Sequence, residues 1–235
     1  MVKFWNTPLL TVGALTHDFS QKKTSCDDEY HMLTRVGSLG FRDVALFLVS
    51  VMDHYSWRRV MLVYDKDGYR RVSGEHTCKL MMEALVKRLK QHNLQFRAFD
   101  TEKAANQGVK EHLRREVGND FSVVVVCANP STVREIMLAA EELNMVDSGE
   151  YVFFNIELFS SMDRNRFKPW HADEDPAERN ERARKAYSAL LTVTARTPDN
   201  EVYRNFSTEV SPVPPRRRTA DAQWAQTTKK RPKLI

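Results

Sequence analysis

Between Trp57 and Asn129 the apolar positions switch between two spacings. Tight apolar runs predict strands over Arg59 to Tyr64 and Ser122 to Cys127, and period-two alternation predicts one over Leu94 to Phe99. Steps of three and four predict helices over Glu75 to Gln91 and Gln107 to Val117, with a turn from Asp65 to Gly74. The stripe Cys78, Met81, Met82, Leu85, Val86 and Leu89 faces one way on the first helix, and Lys79, Glu83, Lys87 and Lys90 face the other. Strands alternating with helices of these lengths imply a parallel α/β sheet built from right-handed crossovers. Leu94, Phe96 and Ala98 alternate as on a half-buried strand, whereas Val123 to Val126 is continuously apolar and suits a central strand covered on both faces.

The flanks extend the pattern. Pro8 to Gly13 reads as a short strand followed by a loop through Glu29, and Ser38 to Tyr55 as a helix apolar on most of its circumference. Gly37-Ser38 before it reads as a helix cap, with anion binding as the rarer alternative. Pro130 starts a further helix, and Tyr151 to Ile156 a further strand. Residues 160–182 are polar and read as loop with a short helix, which Trp170 anchors to the body. Ala183 to Ser188 reads as helix, Ala189 to Ala195 as strand and Pro198 to Val210 as helix.

Charge changes the picture only at the end of the chain. The 235 residues carry a formal charge of +5, yet residues 211–235 hold seven Lys or Arg and one Asp, leaving 29 basic against 30 acidic residues before them. The body is nearly neutral, so basicity gives no reason to expect a nucleic-acid partner. The tail, rich in proline and poor in apolar residues, reads as disordered and solvated, with a nuclear-localisation signal at Lys229 to Lys233 as the competing reading. No targeting segment is read at Met1 to Asn6, and the longest apolar stretch, Val44 to Met52, falls far short of the about 20 residues that span a bilayer.

Candidate chemistry is sparse. The eight glycines form no phosphate-binding loop, and the seven histidines lie singly without a second ligand at metal-binding spacing. Asp173-Glu174-Asp175 reads as a solvated charge cluster rather than paired catalytic carboxylates. Neither a metal, a cofactor nor a catalytic residue is expected. Cys78 in a first helical turn and Cys127 at a strand end both fall on the carboxyl edge of the expected sheet, where they could meet. Two buried free thiols are the other reading, and Cys26, in a polar loop, is left over. Asn205-Phe206-Ser207 is a glycan acceptor if the chain is secreted.

Several strings together carry a resemblance: Trp5-Asn6-Thr7-Pro8-Leu9-Leu10-Thr11-Val12-Gly13-Ala14, Leu33-Thr34-Arg35, Glu75-His76 with Cys78, Tyr151-Val152-Phe153-Phe154, Lys168-Pro169-Trp170 and Ala183-Arg184-Lys185-Ala186-Tyr187. Over residues 4–210 the chain resembles the extracellular ligand-binding region of receptor guanylate cyclases of the natriuretic-peptide-receptor type. The resemblance implies an α/β fold of the type I periplasmic-binding-protein-like kind, parallel sheets flanked by helices, with the second lobe nearly complete and the first truncated. Residues 1–55 would be part of the first lobe, 56–188 the second, 189–210 the start of the return crossing, and 211–235 the basic tail.

The resemblance also implies a function. It points to an ectodomain fragment of a membrane receptor that senses an extracellular ligand such as a peptide for cyclic GMP signalling, on the outer side of the cell membrane and homodimeric at full length. A clearance-type or decoy binder of the same fold without a cyclase domain is the alternative. The fragment itself would not be an enzyme. A disulfide between Cys78 and Cys127 is implied, as are ligand contacts at Tyr64 and Glu83. The ordinary roles competing for those two are an edge aromatic and an i,i+4 partner for Lys87. Lys79-Leu80 follow Cys78 where the family's peptide-hormone receptors carry aromatics.

Overall fold

A computed structural model describes residues 6–37, 39–104, 108–118, 120–158, 168–195 and 200–210. The described residues up to Ala195 belong to one compact unit and those from Asn200 to a second. In the first unit, strands β3 (Arg59–Tyr64), β4 (Gln95–Asp100), β5 (Val123–Cys127), β6 (Val152–Ile156) and β7 (Leu190–Val193) form a parallel sheet in the order β4-β3-β5-β6-β7. Two shorter strands, β1 (Leu9–Thr11) and β2 (Leu33–Arg35), pair in parallel with each other.

The period-two alternation of each strand sorts its side chains onto two cores. Val60, Leu62, Val123, Val125, Phe154 and Ile156 face the helices α1 (Phe41–His54) and α3 (Thr77–Gln91). Met61, Val63, Val124, Val126 and Phe153 face the other way, onto α5 (Pro130–Glu142) and the turns before it. With helices on both faces, β5 buries all five of its residues, as its unbroken apolar run leads one to expect. At about 25 cal/mol per Å² of apolar surface, each such valine adds roughly 1.5–3 kcal/mol before chain entropy is charged against it.

Several boundaries differ from the sequence reading, each for a local reason. Between the expected loop, which ends at Glu29, and α1 lies β2, whose three residues are too few to show a period. The helix expected from Ser38 starts at Phe41, where Asp43 in its first turn accepts a 2.9 Å hydrogen bond from the Gly40 N–H; Ser38 lies outside the described residues. A single helical turn, α2 (Arg70–Ser73), lies within the expected turn. The helix expected from Glu75 starts at Thr77 because His76 takes a left-handed φ of 60°.

Further along, the helix expected over Gln107 to Val117 is one turn, α4 (Val109–His112), that widens into a π turn at Leu113–Val117 and buries both of those apolar residues. Its expected start, Gln107, lies outside the described residues. Helix α6 (Ala177–Ala186) begins earlier than expected and leads through a 3-10 turn into β7. In the second unit, α7 (Glu201–Val210) is capped by Asn200, whose Oδ1 accepts from the Tyr203 N–H at 2.7 Å. The tail 211–235 lies outside the described residues.

Buried Arg134 of α5 holds the polar stretch before α6 in place. Its Nε donates to the Trp170 carbonyl at 2.8 Å, and its guanidinium reaches Asn180 Oδ1 at 3.1 Å and Asp175 Oδ2 at 2.6 Å. The Trp170 ring meets Tyr187 edge-on, with 6.4 Å between centroids. Trp170 thus anchors this stretch through its carbonyl as well as its ring.

Candidate functional site

The chain order of the sheet reverses between β3 and β5. β4 lies on one side of β3 and β5 on the other, and the crevice outside the carboxyl ends of two such strands is where open α/β sheets take ligands. Here Tyr64 and Cys127 sit in register as the last residues of the two strands. Cys127 is joined by a disulfide to Cys78 in the first turn of α3, with 5.4 Å between Cα atoms, and both residues are buried. Cys26 is exposed and unpaired.

The loop after β3 folds over the disulfide and fills the crevice. Asp65 donates its N–H to the Cys127 carbonyl at 3.0 Å, and its Oδ2 accepts from Asn129 Nδ2 at 2.7 Å. Asn129 Oδ1 accepts in turn from the Tyr69 N–H at 3.3 Å. Asp67 Oδ1 accepts from the His76 N–H at 3.3 Å and lies 3.1 Å from His76 Nδ1. Gly68 packs so tightly that a Cβ there would lie 2.8 Å from Cys78 Sγ and 3.1 Å from the Asp65 carbonyl.

Tyr69 and Tyr187 close the β6 side of this edge. The Tyr69 hydroxyl donates to the Ile156 carbonyl at 3.3 Å. Burial, then the Glu157 carboxylate, then Tyr187 hold its proton on far beyond the ordinary phenol range. Neither group is a base at neutral pH. At Asp67, burial favours the neutral acid. The hydrogen bonds from His76, with Lys66 nearby, outweigh it and hold the carboxyl below its usual range.

What the roofed crevice leaves at its rim is Tyr64 and the outer face of α3. Tyr64 is half-buried, and its hydroxyl is pushed up first by burial, then by Asp100 and then by Glu83. The fold thus brings Tyr64 and Glu83 within electrostatic reach of each other. Glu83 is exposed and lies 3.9 Å from Lys79, while Lys87 pairs instead with Asp18 at 3.1 Å. Asp65, Gly68, Tyr69 and Asn129 were not singled out by the sequence. The Asp65-Lys66-Asp67-Gly68 turn composition and the Asn129-Pro130 helix start are the signals that point to them.

Elsewhere, α1, β6 and β7 wall a groove of about 700 Å³ lined by Val44, Phe47, Val51, Trp57, Phe154 and Leu191. Neither Tyr64 nor Glu83 lines it. No group of three or more His, Cys, Asp or Glu side chains among the described residues is placed to hold a metal ion. Among the described residues no helix is long and apolar enough to cross a membrane. Asn205 is exposed on α7.

Comparison with known proteins decides the family. The family model described as receptor family ligand binding region matches residues 1–234. This chain belongs to that family. The match takes in the basic tail, beyond the 4–210 stretch on which the resemblance rests. Atrial natriuretic peptide receptor 3 of Mus musculus is 31% identical over 210 residues, covering 89% of this chain and 36% of that receptor. Atrial natriuretic peptide receptor 2 of Homo sapiens is 28% identical over 214 residues, covering 86% of this chain and 19% of the relative. A receptor-type guanylate cyclase of Caenorhabditis elegans is 41% identical over 113 residues, 48% of this chain and 9% of the relative.

The chain is therefore a receptor family ligand-binding region, α/β and type I periplasmic-binding-protein-like in fold. It spans about a third of the length of the first of these relatives and less of the others. The family's relatives are membrane receptors whose ligand-binding regions face outward, the setting in which a buried disulfide persists.

Proposed function

We propose that the chain is the ligand-contacting part of a receptor of the guanylate cyclase type, in which an extracellular peptide is sensed outside the membrane and cyclic GMP is made within. The observation that supports this reading is the disulfide at the carboxyl edge of the sheet, which ties the start of α3, the helix of Glu83, to the strand end beside Tyr64. A peptide contacts such a rim through a few anchors, and an aromatic beside a carboxylate offers an apolar face and a charge. In this reading residues 1–55 belong to the first lobe, 56–188 to the second and 189–210 to the return crossing. Asn205 carries a glycan, and the full-length receptor is a homodimer.

A binder without a cyclase is the second reading. It is favoured by the shares covered: a similar stretch is 36% of atrial natriuretic peptide receptor 3 but 19% of atrial natriuretic peptide receptor 2, so receptors of two lengths carry this region. Sequencing the full transcript for a cyclase domain separates the two readings. The site is tested by calorimetric titration of secreted protein with a natriuretic peptide as probe. Binding that weakens about tenfold in Tyr64→Ala and in Glu83→Gln is expected. Unchanged affinity in both variants would remove these residues from the site.

A further inference from the structure

The loop from Asp65 to Gly74 covers the Cys78–Cys127 bond. Both cysteines are buried, at 0% and 2% exposure. The cover is tightest at Gly68, where a Cβ would lie 2.8 Å from Cys78 Sγ and 3.2 Å from the Ala128 Cα. Polar bonds hold it down. Asn129, half-buried after β5, grips the loop at two points, donating from Nδ2 to Asp65 Oδ2 and accepting the Tyr69 N–H at Oδ1. Asp67 ties it to the start of α3 through the His76 N–H at 3.3 Å. Among its described side chains Tyr69 is the one packed against a hydrophobic core, while Arg70, Arg71 and Gly74 are exposed. Tyr69, Gly74 and His76 hold left-handed φ values of 64°, 94° and 60°.

A segment fastened by hydrogen bonds, with little apolar burial, opens at a lower free energy than the sheet beneath it. A thiol breaks a disulfide by attacking one of its sulfurs, so access sets the rate. We propose that the loop Asp65 to Gly74 is a gate that controls reduction of the Cys78–Cys127 bond by an external dithiol, with Asn129 as its latch. When the loop lifts, a thiolate of the dithiol attacks Cys78 Sγ, the S–S bond breaks, and Cys127 leaves as the thiolate and takes up a proton. The second thiolate of the dithiol then displaces Cys78 and closes the reagent into its own disulfide, so the electrons the dithiol loses are those the protein bond gains. Reduction frees the start of α3 from the end of β5. An exposed disulfide would be reduced without any opening, and one sealed by apolar packing would be reached only through the unfolded chain. A buried bond under a polar latch lies between these two cases. The inference is independent of the ligand reading of Tyr64 and Glu83.

The test is the rate at which dithiothreitol reduces the bond in the folded full chain, with Cys26 alkylated beforehand and the release of Cys78 and Cys127 followed by alkylation and mass spectrometry. In the parent the rate should change little with urea below the unfolding transition, because lifting a loop exposes little surface. Asn129→Ala removes both bonds of the latch and should raise the rate about tenfold. Asp67→Ala frees the loop from α3 instead and should raise it roughly threefold. The weak dependence on urea should persist in both variants, which separates a loosened gate from a loosened fold. A rate that climbs with urea in parallel with global unfolding would overturn the proposal. So would equal rates in the parent and both variants.

Discussion

Gly68 occupies a position where no side chain fits. A Cβ would meet the Cys78 sulfur and the Asp65 carbonyl, neither of which can move without unpinning the loop or the disulfide. Gly68→Ala should therefore cost roughly 1–3 kcal/mol as overpacking, read as a lower urea midpoint at unchanged slope. Arg134 makes the opposite kind of demand. Its removal leaves Asp175 and Asn180 without the partner that ties the stretch before α6 to α5. Arg134→Ala should cost roughly 3–5 kcal/mol, and protease cleavage between Lys168 and Asp175 should appear at the same time. Neither demand was legible in the sequence, because each depends on a residue about 10 to 60 positions away. By contrast Cys78 and Cys127, 49 residues apart, were placed on one edge by topology alone.

Elements with a full period were the legible ones. The stripe on α3 and the continuous run of β5 set their faces without help from the rest of the chain, whereas β2, with three residues, shows its strand character only once β1 pairs with it. The π turn after α4 was equally hidden, since its spacing between Leu113 and Val117 is also that of an ordinary helix. Between elements, charge does part of the joining. Glu142 of α5 lies 3.1 Å from both Lys110 of α4 and Arg182 of α6. Those two hydrogen bonds hold its carboxyl below the ordinary range. A depressed folded pKa means that the stabilisation is complete above the unfolded value of about 4.3 and is lost as pH falls through the lower folded one. Stability measured from pH 6 downward should thus fall less steeply below pH 4 in Glu142→Gln than in the parent, and equal slopes would dismiss the tie.

At the scale of the whole molecule, the disulfide closes a loop of 49 residues across the central strands. Cross-linking a loop of that length stabilises the fold by roughly 4 kcal/mol in the chain-entropy model. The double change Cys78→Ser, Cys127→Ser should lower the melting temperature by about 8–16 °C, which a scan of secreted protein would show. The same bond has a history as well as a strength. Ribosomes release the chain from its N-terminus, so Cys26 and Cys78 both emerge before Cys127, and at ordinary elongation rates the wait lasts about 2–10 seconds. During that interval the exposed thiol of Cys26 is a partner available to Cys78. A mispaired chain would then have to reshuffle by thiol–disulfide exchange before β5 could take its place beside β3. Cys26→Ser should accordingly raise the fraction of natively paired protein recovered from a secreting host without altering its melting temperature, so that the third cysteine acts on the route to the fold and leaves the finished molecule unchanged.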